Sequence, residues 1–326
     1  AIDRILHNEI EEFARDRDKL LGMVQDLNWM VIPLSENPCA AAQGALAIEC
    51  RSNDNSTKEI IKSISSFSSM SSIEEERKIL QSYGGGCHQK IGSSVEVLET
   101  GLVKTTKGET EEGRNISKRF FVANKENKTF FSDVSEMNYF PASREEQSFF
   151  KRVNLQDTEN ELPKITNKGI YISRSNAIGE SIKIDDSNII WTSGVDTWIS
   201  LAMKGFWVNG TSDSLGEKNS PGENPFKDMD WLKVSHTDAE NHDIDIIATY
   251  KLEPLELKKR MQSCEYFYWM SASSFKLAID TFPEILTKKH SCGLGNTYDF
   301  INGMIPENTF PCLNYDSWLE QIKANH

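Results

Sequence analysis

The apolar positions of this chain change rhythm part-way along it. Over residues 2–14, Ile2, Ile5, Leu6, Ile10 and Phe13 recur at helical spacing, which predicts an amphipathic helix. Trp29-Met30-Val31-Ile32-Pro33-Leu34 and Gly44-Ala45-Leu46-Ala47-Ile48-Glu49-Cys50 are short apolar runs, each predicting a buried strand. A polar-capped helix is expected over 54–66, with Ile60, Ile61 and Ile64 on one face. Ser72 and Glu75 have the spacing of a capping box and predict a further helix through Leu80. Gly84-Gly85-Gly86 ends it, because successive glycines hold helical geometry poorly. From 91 to 133, apolar and polar residues alternate between turn signals, as in a small antiparallel sheet. The polar stretch 134–163, closing on Leu162-Pro163, predicts a linker.

After it the pattern is strand, polar turn and helix. Gly169 to Ser173, Ile189 to Ser193, Ile244 to Tyr250 and Tyr266 to Met270 are short strands. The second leads into a helix with Trp198 and Leu201, and the last into a helix through Ser271-Ala272-Ser273. Such repetition predicts an open α/β sheet with parallel strands. The likeness of Trp191-Thr192-Ser193 to Trp269-Met270-Ser271 predicts two related halves. The fold class expected is α/β and α+β, multidomain, with a small α/β domain followed by an open parallel-sheet α/β region.

Composition narrows the function classes. A chain of 326 residues exceeds one ordinary domain. Its 38 % hydrophobic and 26 % charged residues are those of a soluble globular protein. No run approaches the roughly 18 apolar residues of a membrane helix, so no membrane partner is expected. Lys and Arg number 36 against 49 Asp and Glu, a net charge of −13 that repels phosphate backbones and argues against nucleic acid. The first residue is not Met and no signal peptide follows it, so a cytoplasmic segment of a longer chain, acting as a monomer, is expected. The six cysteines, Cys39, Cys50, Cys87, Cys264, Cys292 and Cys312, form no CxxC pair, so no zinc site is expected and most read as buried apolar residues. His236 and His242 among Asp238, Glu240 and Asp243 suggest either a metal or, with more weight, a solvated loop. Trp207-Val208-Asn209-Gly210 with Gly216 is Gly-rich but has no Walker or GxGxxG pattern.

Two motifs carry a resemblance. Leu34-Ser35-Glu36-Asn37-Pro38 and Ala42-Gln43-Gly44-Ala45-Leu46-Ala47-Ile48-Glu49-Cys50-Arg51, followed by Glu76-Arg77 through Gly85-Gly86-Cys87 to Ile91-Gly92, resemble the C-terminal part of hydroxymethylbilane synthases (porphobilinogen deaminases). The resemblance implies that Cys87 holds a dipyrromethane cofactor by a thioether, to which porphobilinogen units are added. A thiol on a Gly-rich turn after a helix suits that role; a buried structural cysteine is the plainer reading. Gln43 and Gly44 line a substrate cleft or merely shape a tight turn, and Ala42 stands where the family has Gly. Arg51 binds a substrate carboxylate or forms a surface ion pair. Nothing in this sequence matches the family's catalytic aspartate or most of its substrate-binding cations.

Residues 169–326 resemble uroporphyrinogen-III synthases: Ile172-Ser173-Arg174, Trp191-Thr192-Ser193, Thr249-Tyr250, Ser271-Ala272-Ser273 and Gly293-Leu294-Gly295-Asn296-Thr297 follow the family's order, although Met270 stands where Thr is usual. The resemblance implies cyclisation of linear hydroxymethylbilane without metal or organic cofactor. Tyr250 is the implied proton donor; Arg174, Thr192, Ser193, Ser271, Ser273 and Thr297 are implied substrate-binding groups. The plainer readings are an interface tyrosine and helix caps. The organisation expected is thus 1–52 a remnant of the first deaminase domains, 53–140 the cofactor-cysteine domain, 141–163 a linker and 164–326 the cyclase-like domain. The function expected is a bifunctional enzyme of tetrapyrrole synthesis lacking its first catalytic domain. The alternative is a non-catalytic module that binds tetrapyrroles or a pathway partner.

Overall fold

A computed structural model of the chain describes residues 10–25, 27–85, 89–124, 130–132, 134–135, 138–216, 229–239 and 244–324. The fold is mixed α/β and multidomain. Two units separate, Leu34–Asn127 on one side and Ala1–Pro33 with Lys128–His326 on the other. That boundary differs from the expected one at 52/53.

Ile2, Ile5 and Leu6 lie outside the described residues; the helix in this region, α1, spans Ala14–Gln25 after a short turn at Glu11–Phe13. The unit Leu34–Asn127 holds α2 (Asn55–Ile64), α3 (Phe67–Ser82) and an antiparallel sheet of β1 (Lys90–Leu98), β2 (Gly101–Glu109) and β3 (Asn115–Ala123). Ile91, Val95 and Ile116 are buried on one face of the sheet and Val103, opposite Glu96, on the other. The alternating pattern therefore predicts this sheet correctly. The start of α3 differs: Ser66 caps it, accepting from the Ser69 N–H at 3.2 Å, so Ser72 lies inside the helix. Glu75 pairs instead with Lys104 and Lys78 at 2.5 and 2.6 Å. Ile60 and Ile64 of α2 are exposed.

Both expected N-terminal strands are absent. Leu46 and Ile48 are 75 % and 57 % exposed, and no described strand pairs with residues 44–50. In 29–34 the chain forms no ladder, and only scattered bonds tie it down: the Trp29 carbonyl accepts from Trp207 Nε1 and Asn209 Nδ2, both at 3.0 Å, and Val31 N–H donates to the Asn209 carbonyl at 2.7 Å. An apolar run becomes a strand only where a neighbour takes its N–H and C=O groups.

In the other unit the strands are β4 (Tyr139–Phe140), β5 (Phe150–Asn154), β6 (Gly169–Ile172) and β7 (Ile189–Thr192), with α4 (Val195–Met203) after them. There follow β8 (Gly210–Thr211), β9 (Trp231–His236), β10 (Asp245–Pro254), β11 (Tyr266–Trp269), α5 (Ala272–Thr281), β12 (Lys289–Cys292), α6 (Asn296–Met304), β13 (Thr309–Pro311) and α7 (Tyr315–Ala324). These make two lobes. One sheet has the order β5-β10-β9-β6-β7-β8, parallel except for β5 against β10; the other, β13-β12-β11-β4, is wholly parallel. Each has its own core, around Ile170, Ile172, Ile190, Leu201 and Val234 in the first and around Phe267, Trp269, Phe275, Cys292 and Ile301 in the second.

The segment expected as a linker supplies a strand to each lobe, β4 to the second and β5 to the first. The chain therefore runs from the second lobe into the first and returns after β10, crossing twice. The crossings are bound to each other. Glu146 accepts from Lys258 at 3.0 Å and from Arg260 Nε at 3.1 Å, and Leu255 N–H donates to the Phe149 carbonyl at 2.9 Å.

Candidate functional site

Parallel strands send all their carboxyl ends to one edge of a sheet, and open α/β proteins bind ligands beyond that edge. In the first lobe that edge carries Ser173 and Arg174 after β6, Thr192 and Ser193 at the end of β7, His236 at the end of β9, and Tyr250 on β10. In the second it carries Ser271, Ser273 and Thr297. The two edges meet where the loop after β8 crosses the turn before α6: a Cβ on Gly216 would lie 2.9 Å from Cα of Gly295, and the reverse holds, so only glycines fit.

The hydroxyls expected to bind substrate are mostly turned to the backbone. Thr192, fully buried, donates to the carbonyls of Gly194 and Gly210 at 3.2 and 3.4 Å. Ser193 donates to the Ser173 carbonyl at 2.8 Å. Ser271 caps α5, accepting from the Ser274 N–H at 3.1 Å. Ser273 and Thr297 lie half-buried in the first turns of α5 and α6. Capping accounts for Ser271 and backbone carbonyl bonds for Thr192 and Ser193, without a ligand.

Tyr250 sits in a different environment. It is 4 % exposed, with the Arg152 guanidinium 3.3 Å above its ring centroid and the His236 ring 5.8 Å away. A β-bulge at Thr249 shifts the register between β10 and β9 and puts Tyr250 opposite His236. Arg152 faces the same side because β5 pairs antiparallel with β10, Asn154 against Tyr250 and Arg152 against Leu252. Burial, with Lys233, Arg152 and Arg174 adding to it, pulls the His236 pKa below its ordinary value against the opposing pull of Asp238. Burial likewise lowers that of Arg152, where Tyr250 acts in opposition. Sequence reading missed Arg152, because β5 lies in a stretch too polar to signal a strand.

Other candidates resolve plainly. Cys87 lies outside the described residues; α3 ends before it at Ser82, and Gly84 and Gly85 take φ values of 102° and 70°. Gln43 is exposed and its Oε1 accepts from the Ala40 N–H at 3.3 Å, shaping its own turn. Gly44 has φ 86°, and Arg51 is exposed. Glu76 and Gly92 of the second motif have structural roles: Glu76 accepts from the N–H groups of Ala42 and Val95 at 2.8 and 3.1 Å, and a Cβ on Gly92 would meet the Pro38 carbonyl at 2.2 Å. Both fasten the 38–42 turn to β1.

Cys39 is exposed and Cys50 half-buried, against expectation, whereas Cys264, Cys292 and Cys312 are buried. Burial raises the pKa of all three, that of Cys312 to about 12, so they remain unreactive thiols. Among the described residues no group of His, Cys, Asp and Glu is placed to hold a metal; His242, Glu240 and Asp243 lie outside them. Asn209 of the Gly-rich stretch accepts from Ile190 N–H at 3.0 Å, and Gly210 lies against the Trp191 indole, so that stretch serves packing.

Part of the chain is similar to porphobilinogen deaminases. The enzyme of Fusobacterium nucleatum is 39 % identical over 79 residues, 24 % of this chain and 26 % of the enzyme. That of Natranaerobius thermophilus is 31 % identical over 98 residues, covering 30 % and 31 %. The chain thus spans about a quarter to a third of the length of the curated relatives it matches. The motifs that resemble deaminases lie in Leu34–Asn127, a unit of comparable size to these matches. No protein-family model matches the chain. Among solved structures, a mutant uroporphyrinogen III synthase of Thermus thermophilus gives a TM-score of 0.39 at 10 % identity, over 55 % of this chain and 87 % of that one. The wild-type enzyme gives 0.31 at 8 %, over 53 % and 89 %. The two-lobed fold assigned to this chain rests on its own sheet order. No described helix is long and apolar enough to cross a membrane.

Proposed function

We propose that this chain belongs to tetrapyrrole synthesis, with the two-lobed unit cyclising hydroxymethylbilane to uroporphyrinogen III and the deaminase-like unit carrying a cofactor cysteine at Cys87. The observation that carries the cyclase reading is Tyr250, buried at the carboxyl edge of a parallel sheet beneath the Arg152 guanidinium and beside His236. Cyclisation begins with loss of the terminal hydroxyl: the C–O bond breaks, the hydroxyl takes a proton and departs as water, and the pyrrole nitrogen's electron pair forms an azafulvene. The substituted α-carbon of the last pyrrole then attacks that electrophile to give a spiro intermediate. Its older bond to the neighbouring methylene breaks, the methylene re-bonds at the free α-carbon, and the proton lost from that carbon returns to the Tyr250 phenolate, leaving the ring inverted. Tyr250 donates the proton, and the Arg152 guanidinium over its ring stabilises the phenolate left behind. The lobes fold the linear substrate so that its ends approach.

In the deaminase-like unit, Gly84 and Gly85 after α3 take positive φ, and a glycine-rich turn of this kind suits a group tethered at Cys87. A dipyrromethane on that thiol would prime chain growth only together with the upstream deaminase domains, whose catalytic residues this sequence does not match. Supply of hydroxymethylbilane from a separate deaminase, followed by resolution of uroporphyrin isomers, tests the cyclase. Type III is expected above the spontaneous background, and Tyr250→Phe should lower its rate by about a hundredfold. Type I alone would overturn the cyclase and leave a binding module. Mass spectrometry of the chain bound to a dipyrromethane, with Cys87→Ser as control, tests the tether.

A further inference from the structure

We propose that Arg152, Arg174 and His236 form a binding site for a carboxylate arm of the substrate beside Tyr250. The inference deepens the cyclase reading and takes from it only the identity of the carboxylate donor.

Two buried nitrogens carry the argument. Arg152 Nη1 and His236 Nδ1 are both shielded from solvent and both lack a hydrogen-bond partner. Each such group costs on the order of 1–3 kcal/mol, so two beside one ring need a physical reason. The Tyr250 ring supplies a floor for the guanidinium, 3.3 Å below its Cζ. His236, 5.8 Å from the same ring, stands at the end of the neighbouring strand.

The charges point the same way. Acting on His236 are Lys233 of its own strand, Arg152 of β5 and Arg174 beyond β6, opposed by exposed Asp238 just past β9; Tyr250 of β10 packs against the ring. Cations thus outnumber acids here, in a chain whose net charge is −13. A local positive field in an acidic molecule concentrates an anion and repels it from the remaining surface. The planar guanidinium fork matches a carboxylate's two oxygens, and a neutral imidazole with its proton on Nδ1 adds a third donor. A linear tetrapyrrole bears carboxylate side chains on every ring, so seating one here would bring its neighbouring ring to Tyr250. No covalent step is involved.

Protonation of His236 is disfavoured by burial and by its cationic neighbours. A bound carboxylate reverses the second effect, so binding raises the pKa of His236 and tightens as the pH falls from the liganded value towards the unliganded one.

The test titrates the full chain at low ionic strength with propane-1,2,3-tricarboxylate, and separately with inorganic phosphate, by calorimetry. The His236 ring is followed by NMR over a pH series. Saturable 1:1 tricarboxylate binding is expected, weakened about tenfold by Arg152→Met and severalfold by Arg174→Gln. The His236 titration should move to higher pH with ligand present. Three results overturn the site: no saturable binding, the same affinity in Arg174→Gln with no movement of the His236 titration, or phosphate binding as tight as the tricarboxylate. Because the NMR arm uses the wild-type chain, failure of Arg152→Met to fold leaves the test intact. Isomer analysis on the same preparation separates the two ideas. Carboxylate binding without type III product keeps the site and removes the cyclase; type III product without carboxylate binding does the reverse.

Discussion

Ala42 takes a left-handed backbone, φ 64°, in the turn that Glu76 fastens to β1. An L-residue with a Cβ holds that conformation at about 1–2 kcal/mol, partly offset because glycine has more unfolded freedom to lose. Deaminases have Gly where this chain has Ala42, and the geometry supplies the reason. Ala42→Gly should stabilise the unit by about 0.5 kcal/mol in urea unfolding followed by circular dichroism; a destabilised variant would refute the strain. His290 poses a different residue-scale question. It is fully buried, accepts from Trp269 Nε1 at 2.9 Å through Nδ1, and turns Nε2 to the Ile285 carbonyl at 2.9 Å. Burial, opposed by that carbonyl bond, pulls its pKa to about 4. Because the folded value lies below the unfolded one, stability falls as the pH drops from about 6.5 towards 4 and is constant above that window. Unfolding free energy should be about 2 kcal/mol lower near pH 5 than near pH 7. Equal values would mean that the ring titrates in the folded state as it does in the unfolded chain.

At the scale of elements, the crossings between the lobes depend on Glu146. Burial alone would raise its pKa; hydrogen bonds from Arg260, the Ala142 N–H and Lys258 outweigh that and hold it at about 2. Arg260 also lies 4.9 Å over the Phe140 ring and donates to the Tyr139 carbonyl at 3.2 Å, so one guanidinium joins β4 to both crossings. A carboxyl with a depressed folded pKa stabilises fully above its unfolded value and loses that contribution as the pH falls from about 4.5 to 2. Glu146→Gln should destabilise the two-lobed unit by about 2 kcal/mol near pH 7 and flatten its stability profile in that acid window. All seven tryptophans lie outside Leu34–Asn127, so indole fluorescence reports this unit by itself. The seating of the 38–42 turn on β1 has its own dependence on Gly92. Gly92→Ala would drive a Cβ into the Pro38 carbonyl and should cost about 2 kcal/mol, read by circular dichroism with indole fluorescence unchanged.

For the whole molecule, periodicity alone determined much. The alternation over 91–133 specified an antiparallel sheet, and Ile170, Ile172, Ile190 and Trp191 marked strands buried on both faces, because a parallel strand covered on each side shows an unbroken apolar run. The resemblance carried by Arg174, Thr192 and Tyr250 pointed to the strand ends proposed as the candidate site. What one-dimensional reading lost has a common cause. Leu46, Ile48, Trp29 and Val31 look like strand residues but find no ladder, since pairing needs a partner that periodicity does not name. Phe150–Asn154 looks like linker yet pairs as an edge strand, where a neighbouring backbone compensates for a polar sequence. Arg152 therefore entered the site unseen, and so did the approach of Gly216 to Gly295. Local residue order determined the elements and their chemistry; only tertiary contact decided which of them pair, because hydrogen-bond partners and charges far apart along the chain become neighbours only when the sheets form.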